Sequence, residues 1–345
     1  MTMYIVVFII QAMIWFFSRN GKNSRLWLSI SFVLLFFVSS FRALNIGTDY
    51  SEYVPIYYHI AAGNDYDMEV GYVWLNRVMA SVIPHYCGLA MGVNIMLMMP
   101  LYFFITRYVS QQYWQLCIMI FTANPYMYIQ SSFNILRQAC AVGVLLLATH
   151  FFIKKRWMVG LLLIGIAGSF HKIAMVGVII PLFWLFKFKK KQWYAVILAS
   201  LVCSFVLSDE VISFFATMIG FPGYSGYEAS VLNNPIYCIG IACVALFFAS
   251  RRDKYVGTEV QQKFYDLYLL SLCILLLAVK NDMVYRTYLI FAFTSLPAVP
   301  IIWRSSGNII KCGYAVYYSA FYMGYILMLF MAKDSFYIPF RFFFE

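Results

Sequence analysis

Long apolar runs separated by short polar clusters are the feature that most restricts what this chain can fold into. A membrane-spanning helix needs about 20 mostly apolar residues to cross roughly 30 Å of hydrocarbon, and candidate runs recur along the whole sequence. The chain is 63% hydrophobic and 11% charged, whereas soluble domains carry about 25% charged residues. The sequence therefore predicts an all-α polytopic integral membrane protein, with residues 1–345 forming a single transmembrane domain.

The apolar runs predict about twelve transmembrane helices. The predicted spans are 3–17, 26–41, 87–106, 114–130, 137–153, 157–170, 173–186, 192–207, 234–249, 264–279, 287–303 and 312–332. Residues 69–84 have the pattern of an amphipathic segment that lies at the membrane surface. We expect no cleavable signal peptide, because the first run lacks a basic leading region and a small-residue cleavage site.

Basic residues are distributed unequally between the two sets of loops that these spans create. One set carries 17 of the 25 Lys and Arg residues, and the positive-inside rule assigns that set to the cytoplasm. Both termini and the two longest polar segments, 42–86 and 208–233, then face outward. The net charge of +11 is thus a topology signal and argues against nucleic acid as a partner. The eight cysteines include no Cys-x-x-Cys pair, so they indicate neither a disulfide framework nor a metal site.

Polar residues on the outward side interrupt the apolar runs at three places. The first is the stretch 41–72, which holds five of the fourteen acidic residues, and the others are the clusters 134–138 and 170–172. Ionisable residues in or near transmembrane helices are costly and are functional candidates by default. We therefore expect the three places to meet on one side of the membrane and to form an active site.

Three arginines on this side suit a diphosphate ligand. Arg42, Arg137 and Arg286 would present planar guanidinium groups, which form bidentate hydrogen bonds with phosphate oxygens. Gln138 adds a polar group beside Arg137 at the same helix end. The alternatives are that Arg42 and Arg137 extend toward lipid headgroups, and that Arg286 pairs with Asp282 four residues earlier.

Three residues are candidates for the base that would deprotonate a sugar hydroxyl. Asp49 follows a Gly-Thr pair, where a simple turn is the alternative, and Glu69 ends the same acidic stretch. His171 is the third, because imidazole titrates near neutral pH, although a lone histidine is also common as a structural residue. The two helices that flank His171 share only 30 residues, so each reaches about 22 Å at about 1.5 Å per residue. His171 should then lie below the outer surface, within a cavity.

Two further features lie on the outward side. Segment 208–233 is rich in glycine and predicts irregular backbone, and its Tyr227 could stack on a sugar or lie at the lipid interface. The spacing of Asp65 and Asp67 matches an Asp-x-Asp metal motif, but the pair lies in a polar loop without further ligands. We expect a solvated turn there and no metal site.

Five motifs occur in order along the chain and together carry a resemblance. They are Phe41-Arg42 with residues 46–53, Glu69-Val70-Gly71-Tyr72, Leu136-Arg137-Gln138, Phe170-His171-Lys172-Ile173-Ala174 and Arg286-Thr287-Tyr288. Over residues 32–300 the chain resembles EpsG-like, Wzy-type polymerases of oligosaccharide repeat units, which build O-antigen or exopolysaccharide. Tyr50, Tyr72 and Lys172 lie in these motifs and are further candidates for substrate binding. Lys172 departs from the small residue that is usual in the family.

The resemblance implies a metal-independent glycosyltransferase of the GT-C type in the bacterial inner (cytoplasmic) membrane. Its site would face the periplasm and would need no cofactor. The substrates would be oligosaccharide repeat units carried on undecaprenyl diphosphate, as in lipopolysaccharide synthesis. Besides membrane lipid, a chain-length regulator protein would be a partner. The arginines would stabilise the departing diphosphate, and a carboxylate or the imidazole of His171 would deprotonate the acceptor.

Two other functions fit a membrane protein of this kind. A membrane O-acyltransferase that modifies surface polysaccharide would need a cytoplasmic pocket with a histidine, and only His150 lies near that side. A non-enzymatic flippase for lipid-linked oligosaccharides would carry charges along its full depth and an internal repeat. The charges of this chain stay near the outer side and no repeat is evident, so we favour the polymerase.

Overall fold

The computed structural model describes residues 2–18, 23–186, 188–206, 235–278, 282–331 and 337–344. The predicted outward segment 208–233, including Tyr227, lies outside the described residues. Sixteen α-helices account for most of the described ranges, and these ranges contain no β-strand. The prediction of an all-α fold is confirmed.

The helices are α1 (Thr2–Ser18), α2 (Ser24–Ser40), α3 (Tyr50–Ala61), α4 (Val70–Val82), α5 (Cys87–Tyr108), α6 (Trp114–Ala123), α7 (Ser131–Phe133), α8 (Leu136–Ile153), α9 (Trp157–Phe170), α10 (Ile179–Leu185), α11 (Lys190–Val206), α12 (Pro235–Tyr255), α13 (Glu259–Leu277), α14 (Asp282–Thr294), α15 (Ala298–Ser305) and α16 (Asn308–Met331). Shorter 3₁₀ segments cover Gln111–Tyr113 and Lys172–Val178, and a π-helix covers Tyr126–Gln130.

The helices form two compact units. The first unit comprises Met1–Met175 and Ser306–Glu345, and the second comprises Val176–Ser305. All three motifs around Glu69, Arg137 and His171 belong to the first unit.

Four of the helices, α5, α8, α13 and α16, are long and apolar enough to cross a membrane. Helices α14 and α15 would make a fifth span as a bent pair, with an angle of 63° between them. The apolar helices α1, α2 and α9 have 14 to 17 residues and fall short of that length. The architecture is consistent with a polytopic membrane protein, and the count of twelve spans stays a prediction.

The predicted span 114–130 is interrupted in the structure, as 287–303 is between α14 and α15. Residues 114–130 divide into α6 and the π-helix, with Asn124 and Pro125 between them. Proline has no backbone N–H and cannot continue the hydrogen-bond ladder of the preceding helix. The Asn124 side chain accepts a bond from the Tyr126 amide at 3.1 Å, and the Gln130 amide bonds the Pro125 carbonyl at 2.8 Å. The expectation of one continuous helix was wrong at this point.

The segment 42–86, expected as a loop with an amphipathic part at 69–84, contains two helices. Helix α4 corresponds to the amphipathic part, and α3 precedes it. Tyrosine hydroxyls close the segment, since Tyr57 donates to the Ile83 carbonyl at 2.7 Å and Tyr50 to the Tyr86 carbonyl at 3.0 Å. This segment therefore places its side chains on a folded support.

Candidate functional site

The carboxylate of Glu69 contacts both of the other main candidates. Its Oε2 lies 2.6 Å from Arg137 Nη1, and its Oε1 lies 3.3 Å from His171 Nδ1. The three residues come from the start of α4, the start of α8 and the end of α9. The sequence expectation that these three places meet is thus matched by the structure, and we call this group the Glu69 cluster.

Local backbone explains how each side chain reaches the cluster. Glu69 is the N-cap residue of α4, but its side chain makes no capping bond and is directed to the other two residues instead. Arg137 is in the first turn of α8. His171 follows α9 with extended backbone (φ −160°, ψ 119°), which ends the helix and turns the imidazole away from its axis.

The Glu69 cluster is mostly buried. The exposed side-chain fractions are 27% for Arg137, 11% for Glu69 and 5% for His171. A buried charge is tolerated when it is paired and hydrogen-bonded. A cation at a helix N-terminus is also disfavoured by the helix dipole. The Glu69 carboxylate therefore offsets both the cost of burying the Arg137 charge and the cost of placing that charge at the start of α8.

The ionisation of Glu69 follows from the same contacts. Burial raises the pKa of its carboxyl, but the hydrogen bonds from His171 and Arg137 and the positive charge of Arg137 outweigh burial and lower that pKa to about 2. Its ordinary value is 4.5. Glu69 is therefore a carboxylate at every physiological pH, and it is a weak base.

Tyr53, which the sequence interpretation missed, holds the Nε atom of the Arg137 guanidinium. Arg137 Nε donates to the Tyr53 hydroxyl at 3.0 Å. The ring of Tyr53 packs edge-on against the ring of Tyr72, with 5.7 Å between the ring centres. A signal was present, since Tyr50, Tyr53 and Tyr57 repeat at helical spacing on the buried face of α3.

A glycine allows α4 to approach the end of α9. A Cβ atom at Gly71 would lie 2.4 Å from Ser169 Oγ and 2.9 Å from the Ser169 carbonyl oxygen. Real side chains do not approach so closely, so the position requires glycine. Because Gly71 is two residues after Glu69 and Ser169 is two residues before His171, this approach sets the Glu69–His171 distance.

Arg42, predicted to bind diphosphate, is fully buried. Its Nε donates to the Ile46 carbonyl at 3.1 Å and its Nη2 to the Phe133 carbonyl at 3.3 Å. Its Nη1 bonds the Ser39 carbonyl, and the guanidinium carbon lies 3.8 Å from the centre of the Tyr50 ring. The guanidinium is thus occupied by the scaffold, and a direct contact of Arg42 with diphosphate has no support in this geometry.

The predicted binding residues Tyr50, Tyr72 and Gln138 are also buried. Tyr50 lies under Arg42, and Tyr72 packs against Tyr53. The structure gives the two tyrosines packing roles beside the Glu69 cluster, and their contact with substrate stays a prediction.

Asp49 and Lys172 lie beside the motifs without joining the cluster. Asp49 is half-buried and accepts a hydrogen bond from the Thr48 hydroxyl at 2.9 Å. Among the described residues, no hydrogen bond or ion pair links Asp49 to Glu69, Arg137 or His171. Lys172 is exposed although its neighbour His171 is buried.

The remaining two candidates are not tested by the structure. Arg286 is half-buried on α14, in the second unit. Its convergence with Arg137 stays a prediction, and Tyr227 lies outside the described residues.

Comparison with protein-family models gives a match over nearly the whole chain. A family model described as the EpsG family matches residues 25–342, which is nearly the whole chain and includes the Glu69 cluster. No curated protein matches, and no solved structure matches.

Proposed function

Since this chain belongs to the EpsG family, the family of Wzy-like polysaccharide polymerases, we propose that it joins oligosaccharide repeat units carried on undecaprenyl diphosphate. The site would face the periplasm of a bacterial inner membrane. The observation that carries the proposal is the double contact of Glu69 with Arg137 and His171. It assembles a cation, a carboxylate and an imidazole in one mostly buried place.

The proposed reaction is a glycosyl transfer of the metal-independent GT-C type. The hydroxyl oxygen of the acceptor sugar forms a bond to the anomeric carbon of the growing chain. The bond from that carbon to the lipid diphosphate breaks, and its electron pair leaves with the diphosphate. The hydroxyl proton passes to a base on the protein.

Arg137 is the residue that we assign to the leaving group. Its Nε and Nη1 are held by Tyr53 and Glu69, and its Nη2 makes no hydrogen bond to any described residue. The side chain is also 27% exposed. A fixed guanidinium with a free edge suits phosphate oxygens and stabilises the charge that develops as the diphosphate departs.

His171 is the residue that we assign as the base. A hydrogen bond from Nδ1–H to Glu69 Oε1 fixes the tautomer and leaves Nε2 to accept the proton, as in other carboxylate–histidine pairs. Glu69 is too weak a base for this step, because its pKa is about 2. Its role is to orient His171 and to stabilise the imidazolium. Asp49 is the alternative base.

Complementation of a strain that lacks this gene tests the proposal, with the surface polysaccharide separated by length on a gel. The wild type restores long chains, and Arg137→Ala yields single repeat units at normal expression. Arg77→Ala is the matched control, because Arg77 also pairs with a carboxylate, at 2.6 Å from Asp65, but on the exposed surface.

Two other results would assign a different function. A deletion that changes only the acyl content of the polysaccharide indicates an O-acyltransferase. Accumulation of lipid-linked units inside the cell indicates a flippase.

A further inference from the structure

The C-terminal segment 337–344 contacts the turn that carries Arg137. The hydroxyl of Tyr337 hydrogen-bonds the side-chain amide of Asn134, which is 203 positions away in the sequence. Asn134 is three residues before Arg137. None of the motifs that define the site includes this segment.

Hydrogen bonds to the main chain of the segment hold it in place. The Tyr4 hydroxyl donates to the Tyr337 carbonyl at 3.0 Å. Farther along, the Ala43 amide bonds the Arg341 carbonyl at 2.9 Å, and the Phe343 amide bonds the Phe41 carbonyl at 3.0 Å. Tyr337 is therefore held at its own carbonyl and by the segment that follows it, and it can act as an anchor.

Asn134 belongs to a partly buried chain of polar side chains. Its amide Nδ2 also donates to Gln130 Oε1 at 2.7 Å, and Gln130 Nε2 donates to the Tyr325 hydroxyl at 2.7 Å. Asn134 itself is buried. A buried amide is tightly constrained by such partners, because an unmade hydrogen bond there is costly.

The turn that Tyr337 contacts lies between two helices and has non-helical backbone. Asn134 (φ −122°, ψ −68°) and Ile135 (φ −77°, ψ 56°) separate α7 from α8. Opposite the turn, Gly47 has a φ of +110°, and a Cβ on it would lie 2.6 Å from the Phe133 carbonyl oxygen. The Asn134 and Ile135 amides both bond the Gln130 carbonyl, at 3.0 Å, and hold the backbone of the turn. The bond between Asn134 and Tyr337 adds a side-chain contact that ties this turn, three residues before Arg137, to the C-terminal segment.

We propose that Tyr337 is a positioning residue for Arg137, acting through Asn134. The inference rests on the proposed function, because the effect is on the turnover that Arg137 supports. A displacement of a catalytic group by about 1 Å can lower a rate by orders of magnitude. Tyr337→Phe removes the hydroxyl and keeps the ring, and it lowers kcat by about 10-fold with a smaller change in KM.

A double-mutant cycle in purified, full-length protein tests this role, with synthetic lipid-linked repeat units as substrate. Tyr337→Phe is made in the wild type and in Arg137→Lys. Tyr265→Phe is the matched control, since the buried Tyr265 hydroxyl likewise donates to a distant carbonyl, that of Phe248 at 2.9 Å, but lies in the second unit. Asn134→Ser removes the same hydrogen bond by changing its other partner. It takes the place of Tyr337→Phe in the cycle if Tyr337→Phe fails to fold.

Coupling to Arg137 is the expected result. Tyr337→Phe costs about 10-fold in kcat in the wild type but less than about 2-fold in Arg137→Lys. Tyr265→Phe changes kcat by the same factor in both. Equal factors for Tyr337→Phe in the two backgrounds, or an unchanged kcat in a folded variant, overturn the inference alone. A wild type that extends no repeat unit overturns the proposed function and this inference with it.

Discussion

Glu69 Oε2 lies 2.6 Å from Arg137 Nη1, and this ion pair joins residues that are 68 positions apart. The other oxygen of the same carboxylate faces His171. One carboxylate thus fixes both the cation that we assign to the leaving group and the imidazole that we assign as base. Disturbing Glu69 should therefore affect binding of the diphosphate and proton transfer together.

The first prediction concerns Gly71. Gly71→Ala places a Cβ 2.4 Å from Ser169 Oγ, so α4 must move away from α9 and Glu69 must move away from His171. We expect kcat to fall by about 10-fold or more, since catalysis depends on geometry within about 1 Å. Initial rates of polymerisation by purified protein measure the effect.

Gly165→Ala is the control for that variant. Gly165 is also helical, and a Cβ there meets no atom within 4 Å. Its replacement should leave the rate unchanged and stabilise the helix slightly, by up to about 1 kcal/mol. Equal rates for the two alanine variants would show that the approach of α4 to α9 does not control the site.

The second prediction concerns the pH dependence of stability. The folded-state pKa of Glu69 is lowered from 4.5 to about 2. Its contribution to the free energy of unfolding is therefore present in full above about pH 4.5 and is lost as the pH falls to about 2. The size is roughly 3 kcal/mol, at about 1.4 kcal/mol per pKa unit.

Unfolding of the wild type and of Glu69→Gln in detergent at several pH values measures this contribution. The difference in stability should shrink steadily as the pH falls from about 4.5 toward 2. Asp65→Asn, at an exposed carboxylate, should show little difference at any pH. A wild-type advantage that persists unchanged to pH 2 would contradict the assignment of an ionised, paired Glu69.

The third prediction separates the candidate bases. His171→Gln should lower kcat by at least about 100-fold, the usual size of a general-base contribution. His59→Gln, at an exposed histidine on α3, should change kcat little. Asp49→Asn should cost less than His171→Gln, because Asp49 has no contact with the Glu69 cluster among the described residues. The reverse order of the two losses would transfer the role of base to Asp49.

Much of the candidate site could be predicted from the sequence for a simple physical reason. Glu69, Arg137 and His171 interrupt apolar runs, where ionisable residues are too costly to occur without a partner. Arg42 has the same appearance in the sequence, at the end of an apolar run, but the structure buries it among carbonyl groups. Sequence alone cannot distinguish a guanidinium that reaches a ligand from one whose hydrogen bonds are used by the fold.

The contributions of Tyr53 and Tyr337 could not be assigned in advance. Each has a hydroxyl that contacts a residue distant in the chain, Arg137 for Tyr53 and Asn134 for Tyr337. A chain with 28 tyrosines offers no way to select these two by composition or spacing. The break at Pro125 has a visible signal, since proline lacks the backbone N–H of a regular helix, but Pro100 lies inside the continuous helix α5, so the signal is not decisive.

The most direct test of the central claim is a reaction of purified protein with lipid-linked repeat units. The wild type and Arg77→Ala should release lipid diphosphate and form two-unit and longer products. Arg137→Ala should still be folded and should form these products at least about 100-fold more slowly, which is the usual cost of removing a charge stabiliser. If folded Arg137→Ala releases lipid diphosphate and extends the chain at the wild-type rate, the Glu69 cluster is not the catalytic site.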